Sequence, residues 1–311
     1  MDIAALNANF GLPGVLSFEE SEGLTRAVIS TPAASATVYL HGAHLTHWQP
    51  AGEEPVLFLS DKSAFAKGKA IRGGVPVIFP WFGDRHDGKK GPAHGFARTA
   101  EWSVAFAGLV GDDLHLALTL GPDEGSRELG FDNFRLAYRL TLGRTLKMEL
   151  TVANDGGTPL EFEEALHTYF VVGDVRQASV TGLAGTEYLD KRDREPDGEP
   201  KRKVEPEGPL VLTATTDRVY FNTAATCVIG DPVLKRSLTV GKSGSSTTVV
   251  WNPWREVAAT LADLGDDAWV GMLCVETANA GTDAVTLDPG AAHTMQTTVT
   301  VETLAQTERA G

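Results

Sequence analysis

A single large antiparallel β-domain, a sandwich of two big sheets, is the fold class this sequence predicts. Three observations lead there. Apolar residues recur with period two in segment after segment, and helical periodicity is scarce. The 33 Gly and 16 Pro are scattered as turn punctuation instead of gathering into a linker. A length of 311 residues suggests two domains, but all-β sandwiches often exceed ~200 residues as one unit, so one domain spanning 1–311 is expected.

Along the chain, MDIAALNANFGLPG has neither a basic n-region nor a long apolar core, and does not read as a signal peptide. HGAHLTHW (41–48) spaces three histidines by three, a metal-ligand spacing on a helix. Gly42 weakens helix, however, and on a strand only His41 and His47 share a face. No carboxylate accompanies them at ligand spacing, which favours a strand entering a tight turn over a metal site. Trp102, Val104 and Phe106 alternate, as do Leu114, Leu116, Leu118 and Leu120. The clearest hairpin puts Phe134, Leu136, Tyr138, Leu140 and Leu142 on one face. It turns at Gly143-Arg144 and resumes with Leu146, Met148, Leu150 and Val152. YFVV (169–172), TTVVW (247–251), WVGMLCV (269–275) and TTVTVE (297–302) read as further strands. KRDREPDGEPKRK (191–203), charged and free of apolar residues, reads as an exposed loop. Val257, Leu261 and Leu264 support two helical turns at most.

The formal net charge is −14 and the chain is 42% hydrophobic, as in an ordinary soluble globular protein. An acidic balance argues against a phosphate-backbone binder, so no nucleic-acid partner is expected. It argues on average against a small anionic substrate as well, a point the local charge reopens below. No stretch approaches ~18 consecutive apolar residues, so no membrane span is expected. Cys227 and Cys274, with no CxxC spacing, read as two buried thiols in a reducing cytosol, and a cytoplasmic location follows by elimination.

Two further constellations could carry chemistry. In IRGGVPVIFPWFG (71–83) and GPAHGFAR (91–98), Arg72 and Arg98 sit beside glycines that permit close approach of backbone, with His94 alongside. Pairing with ordinary surface carboxylates would explain both arginines equally well. Residues 62–98, however, carry eight Lys and Arg against two Asp, a +6 island on an acidic chain. Such an island is a candidate site for a small anion such as a phosphate group. With no P-loop and no GxGxxG after a strand, that anion is not expected to belong to a nucleotide. The other constellation is His167, heading an apolar strand in EEALHTYFVV, and Glu276, ending WVGMLCVE. A carboxylate after such a run is costly unless hydrogen-bonded or functional. A satisfied strand histidine and a solvent-facing glutamate remain the plainer reading of each alone.

With these residues in view, the chain resembles the glucose-6-phosphate 1-epimerases (hexose-6-phosphate mutarotases) of the aldose 1-epimerase, galactose-mutarotase-like superfamily. The resemblance runs through GAHLTHW, LFLS (57–60), IRGGVPVIFPWFG, PAHGFAR, ALHTYF, GLAGTEYLDK (182–191), WNPW (251–254) and MLCVETAN (272–279). It implies a β-supersandwich with a few short helices, no metal and no organic cofactor, and a hexose 6-phosphate as substrate of a monomer. By the same resemblance His167 is the general acid, Glu276 the general base, and Arg72 and Arg98 hold the substrate through its phosphate. Asp190 would contact sugar hydroxyls, and His94 would orient the ring oxygen or brace the site. Ala93 stands where some members carry Gln, removing one side-chain contact. The implied reaction opens a cyclic hemiacetal and closes it on the other face, which needs one ionised and one protonated group near neutrality. Competing expectations are an epimerase of unphosphorylated aldoses, a non-catalytic carbohydrate-binding or sensor protein, and a cupin-like metal enzyme using the early histidines.

Overall fold

The computed structural model describes residues 2–303, whose strands form sheets of nine, eight, four and two members. Strands Phe134–Leu142 and Leu146–Asn154 pair antiparallel across their full length, from Phe134 opposite Asn154 to Leu142 opposite Leu146. Their even-numbered residues are buried while Arg135 and Arg139 face solvent. Each buried Leu, Met or Val contributes about 1.5–3 kcal/mol relative to exposure. This hairpin lies within the nine-stranded sheet, flanked by strands Asp113–Leu120 and Ala292–Thr303. One apolar cluster joins its inner face to Leu166, Phe170, Leu273 and Val275 of the eight-stranded sheet. The two large sheets therefore share a core, as expected of a sandwich.

The eight-stranded sheet has strand Met272–Asn279 near its centre, buried at every residue. Strand Thr247–Asn252 pairs with it on one side, and the short strands Glu164–Leu166 and Tyr169–Val171 on the other.

Local structure departs from the sequence-based expectation in several places. Residues 191–203 belong to a β-hairpin of strands Glu187–Arg194 and Pro200–Val204 at the sheet's edge. Lysines and arginines suit an edge strand because charge discourages pairing with another chain, and that charge hides the strand pattern. A register shift between Val104 and Phe106 breaks the alternation in strand Ser103–Val110 and leaves Phe106 55% exposed. Residues Ala268–Gly271 form a 3₁₀ turn before the strand that begins at Met272. The helix near Val257 keeps within two turns but spans Trp254–Ala258, ending before Leu261 and Leu264. Helix Ile3–Phe10, capped by the Asp2 carboxylate accepting from Ala4 N–H, went unforeseen. So did most of the N-terminal four-stranded sheet, Leu16–Ser21, Leu24–Ser30, Ala34–Tyr39 and His44–Pro50. No helix among the described residues is long and apolar enough to cross a membrane.

Candidate active site

Register alone places His167 against Glu276. Leu166 pairs with Thr277 and Tyr169 with Cys274, so the position between them brings residue 167 opposite residue 276. The chain kinks there, with Thr168 N–H donating to Leu166 C=O and His167 N–H to Pro76 C=O. His167 Nε2 lies 3.4 Å from Glu276 Oε1. His167 is 8% exposed and Glu276 1%. His167 Nδ1 and Glu276 Oε2 have no hydrogen-bond partner among the described residues.

Period-two alternation then lays further side chains on the same sheet face. Tyr169, two residues on, stacks against the His167 ring at 4.8 Å and 11°. Trp251, cross-strand from Cys274 and Asp217, meets both rings edge-on. These residues line a cavity of about 150 Å³ together with Arg72, Phe82, His94, Lys191, Asp217 and Val249.

Arg72 reaches the cavity from a loop that glycines hold open. At Gly74 (φ +59°) an added Cβ would sit 2.4 Å from the Leu45 carbonyl oxygen, so no side chain fits there. The loop is braced from HGAHLTHW: burial lowers His44 to about 4, and its neutral ring donates from Nε2 to Gly73 C=O at 2.7 Å. His41 Nε2 bonds Lys69 C=O and His47 Nε2 bonds Ser35 Oγ. The three histidines therefore act as separate struts. The Arg72 guanidinium pairs with Asp263 at 3.1 Å and donates to the Tyr169 hydroxyl at 3.0 Å. Burial pulls its pKa down, but Tyr169 and Asp263 outweigh that and raise it.

Arg98 has no carboxylate within ion-pair distance among the described residues. It donates to the Ala93 carbonyl at 2.7 Å, so residue 93 serves it through backbone. Burial, and repulsion from nearby Arg72, leave its pKa below that of a free arginine. Two guanidiniums beside one aspartate make a positive pocket. His94 takes a left-handed backbone (φ +63°), costly for a residue with a side chain. Its Nδ1 accepts from Gly83 N–H at 3.3 Å, which assigns the proton to Nε2. Burial and the Arg98, Lys191 and Arg72 charges lower it to about 3, leaving a neutral ring with one N–H to donate.

Burial and then the Asp217 charge drive Glu276 well above the usual carboxylate range, against the pull of Lys191. Burial drives His167 well below 6.5, and His94, Arg98 and Arg72 push it further. Both effects favour one proton shared by the pair, with neither group stranded as a lone buried charge.

Four of the six residues singled out from sequence, His167, Glu276, Arg72 and His94, line one cavity, and Arg98 stands close enough to act on their charges. Asp190 does not join them. Its carboxylate accepts from Arg192 N–H and from Lys203 Nζ at 2.8 Å, and it borders a separate cleft with Thr216 and Arg218. A one-residue step along a strand reverses the face, so Lys191 enters the cavity in its place. The cavity's second carboxylate is Asp217, which the sequence alone did not single out; its position two residues before Val219, on the same strand face, is the signal that finds it.

The family model described as aldose 1-epimerase matches residues 26–300. A protein of Escherichia coli (strain K12) named "Putative glucose-6-phosphate 1-epimerase" is 38% identical over 86% of this chain and 87% of its own length. One of the same name from Salmonella typhimurium is 35% identical over 88% of this chain and 92% of its own. The crystal structure of a Salmonella typhimurium protein described as a "putative mutarotase" superposes with a TM-score of 0.86 at 33% identity. The superposition covers 94% of this chain and 96% of that one.

Proposed function

Starting from a chain that belongs to the aldose 1-epimerase family, and so is an epimerase, we propose that His167 and Glu276 interconvert the α and β anomers of an aldohexose 6-phosphate. One observation carries this reading: a buried imidazole and carboxylate, 3.4 Å apart, each with an unpartnered polar atom beside one cavity. A hemiacetal carries its hydroxyl and ring oxygen on the same carbon, so an acid and a base in mutual contact can reach both.

With one proton on the pair, the reactive arrangement is carboxylate and imidazolium. Glu276 takes the proton of the C1 hydroxyl, whose oxygen forms the aldehyde double bond. The C1–O5 bond breaks, and its electron pair accepts the His167 proton. After rotation about C1–C2 the aldehyde closes with the roles reversed. Each group contributes about 10²- to 10⁴-fold, which suffices for a reaction that already proceeds in water. His94, a neutral Nε2–H donor, holds a sugar oxygen without competing for the shared proton.

The phosphate goes to Arg72 and Arg98. Its charge satisfies Arg98, which lacks a carboxylate, and offsets the positive potential that disfavours imidazolium at His167. The reading takes the protein to act as a monomer, and a phosphorylated sugar points to the cytoplasm as its place of work.

The test compares anomerisation of α-glucose 6-phosphate and α-glucose by wild type and Arg98→Ala. Wild type should prefer the phosphorylated sugar. Arg98→Ala should lower kcat/KM for it by about 10- to 100-fold, the value of a charged hydrogen bond, and leave glucose little changed. Equal kcat/KM values for both sugars in wild type would identify an epimerase of free aldoses instead.

A further inference from the structure

Cys274 precedes Glu276 by two residues on the same strand, so their side chains share a sheet face. The thiol is buried and free. One donor atom each from His167, Cys274 and Glu276 lies within 4.8 Å of the other two. The His167 Nε2 to Glu276 Oε1 distance of 3.4 Å is close to the ~3.3 Å that tetrahedral zinc imposes on ligands ~2.0–2.1 Å away. Sulfur at ~2.3 Å from zinc would stand ~3.6 Å from the nitrogen, so the thiol needs to close by about 1.2 Å at most.

A second observation points the same way. His167 and Glu276 are both more than nine-tenths buried and both line the cavity, with Nε2 and Oε1 as the donors that face each other. Imidazole nitrogen, thiolate sulfur and carboxylate oxygen are the donor types that zinc selects over magnesium or calcium. Three protein ligands with the cavity as the open fourth direction complete a zinc coordination sphere. Charge does not forbid it: a thiolate and a carboxylate cancel a dication, so Arg72, Arg98 and Lys191 would face a neutral assembly.

We propose that His167, Cys274 and Glu276 form an inhibitory site for a borderline-soft divalent cation, with Zn²⁺ as its type. The metal binds the imidazole, thiolate and carboxylate, and the thiol proton and the pair's shared proton leave to solvent. Both members of the acid–base pair are then ligands, neither can move a proton, and mutarotation stops. Loss of activity rests on the catalytic reading above, whereas metal binding does not.

The test titrates the full-length protein with Co²⁺ and Zn²⁺, reading the near-ultraviolet cobalt–thiolate band and the anomerisation of glucose 6-phosphate. The expected result is a cobalt–thiolate band in wild type that Zn²⁺ abolishes, and zinc inhibition that a chelator reverses. Cys274→Ser and Cys274→Ala should lack the band and keep the wild-type rate. Their zinc inhibition should weaken by ~100-fold or more, because even outer-shell partners of a metal contribute ~10- to 100-fold. Absence of the band in wild type, or equal zinc sensitivity in the serine variant, overturns the proposal. Should the Cys274 variants not fold, the wild-type cobalt spectrum decides alone. A cobalt–thiolate band together with a fully active His167→Asn variant would uphold the metal site while removing the catalytic reading.

Discussion

At His167, burial and the neighbouring His94, Arg98 and Arg72 act in one direction: they disfavour the imidazolium. The sign of its response to ligand follows. In the ligand-free protein His167 should titrate below 6.5, and inorganic phosphate or substrate, by offsetting Arg72 and Arg98, should raise its pKa. NMR of histidine-labelled protein reads both. A free-state value at or above 6.5, or no response to phosphate, would contradict the proposed coupling between phosphate and acid. At this scale the sequence was legible where a polar residue interrupted an apolar strand, as at His167 and Glu276. It was not legible at Lys191, which sits in a charged stretch where any residue could face the cavity, and only the spacing to Val219 marks Asp217. Asp190 was misplaced because two adjacent strand residues face opposite ways, and sequence does not say which face is wet.

Among elements, the Arg72 loop is the most constrained part of the site. Gly73 and Gly74 both take positive φ, and an added Cβ at either would meet backbone from Phe58 or Leu45. Gly74→Ala should therefore lower stability by about 1–3 kcal/mol and raise KM for glucose 6-phosphate as Arg72 moves. Leu140→Ala, in the shared core, should lower stability by about 2–5 kcal/mol with KM unchanged. Denaturant melts and steady-state kinetics on both variants check the contrast. A Gly74→Ala protein with wild-type stability and KM would remove the strut role given to the loop and to His44. The long hairpin from Phe134 to Asn154 was readable because one face is dry and the other wet. The edge hairpin around residues 191–203 was not, since the residues on both of its faces are polar or charged and no apolar alternation marks it.

Across the whole molecule, a net charge of −14 averages over a basic island that holds both arginines. Screening over ~8–10 Å at physiological salt lets that island act locally on an acidic protein. The sandwich brings the island, from residues 62–98, to the same cavity as a strand near the other end of the chain. Period-two patterning made the two-sheet architecture legible. The path by which distant strands become neighbours was not, because long-range pairing leaves no local mark in sequence. The central claim is that one buried acid–base pair performs the reaction, with its fold and binding groups elsewhere. The most direct test is the rate of α-to-β conversion of glucose 6-phosphate by wild type, His167→Asn and Glu276→Gln under identical conditions. Both variants should retain the fold by circular dichroism and lose accelerated conversion, by about 10²- to 10⁴-fold each. A wild-type rate in either variant would contradict the account.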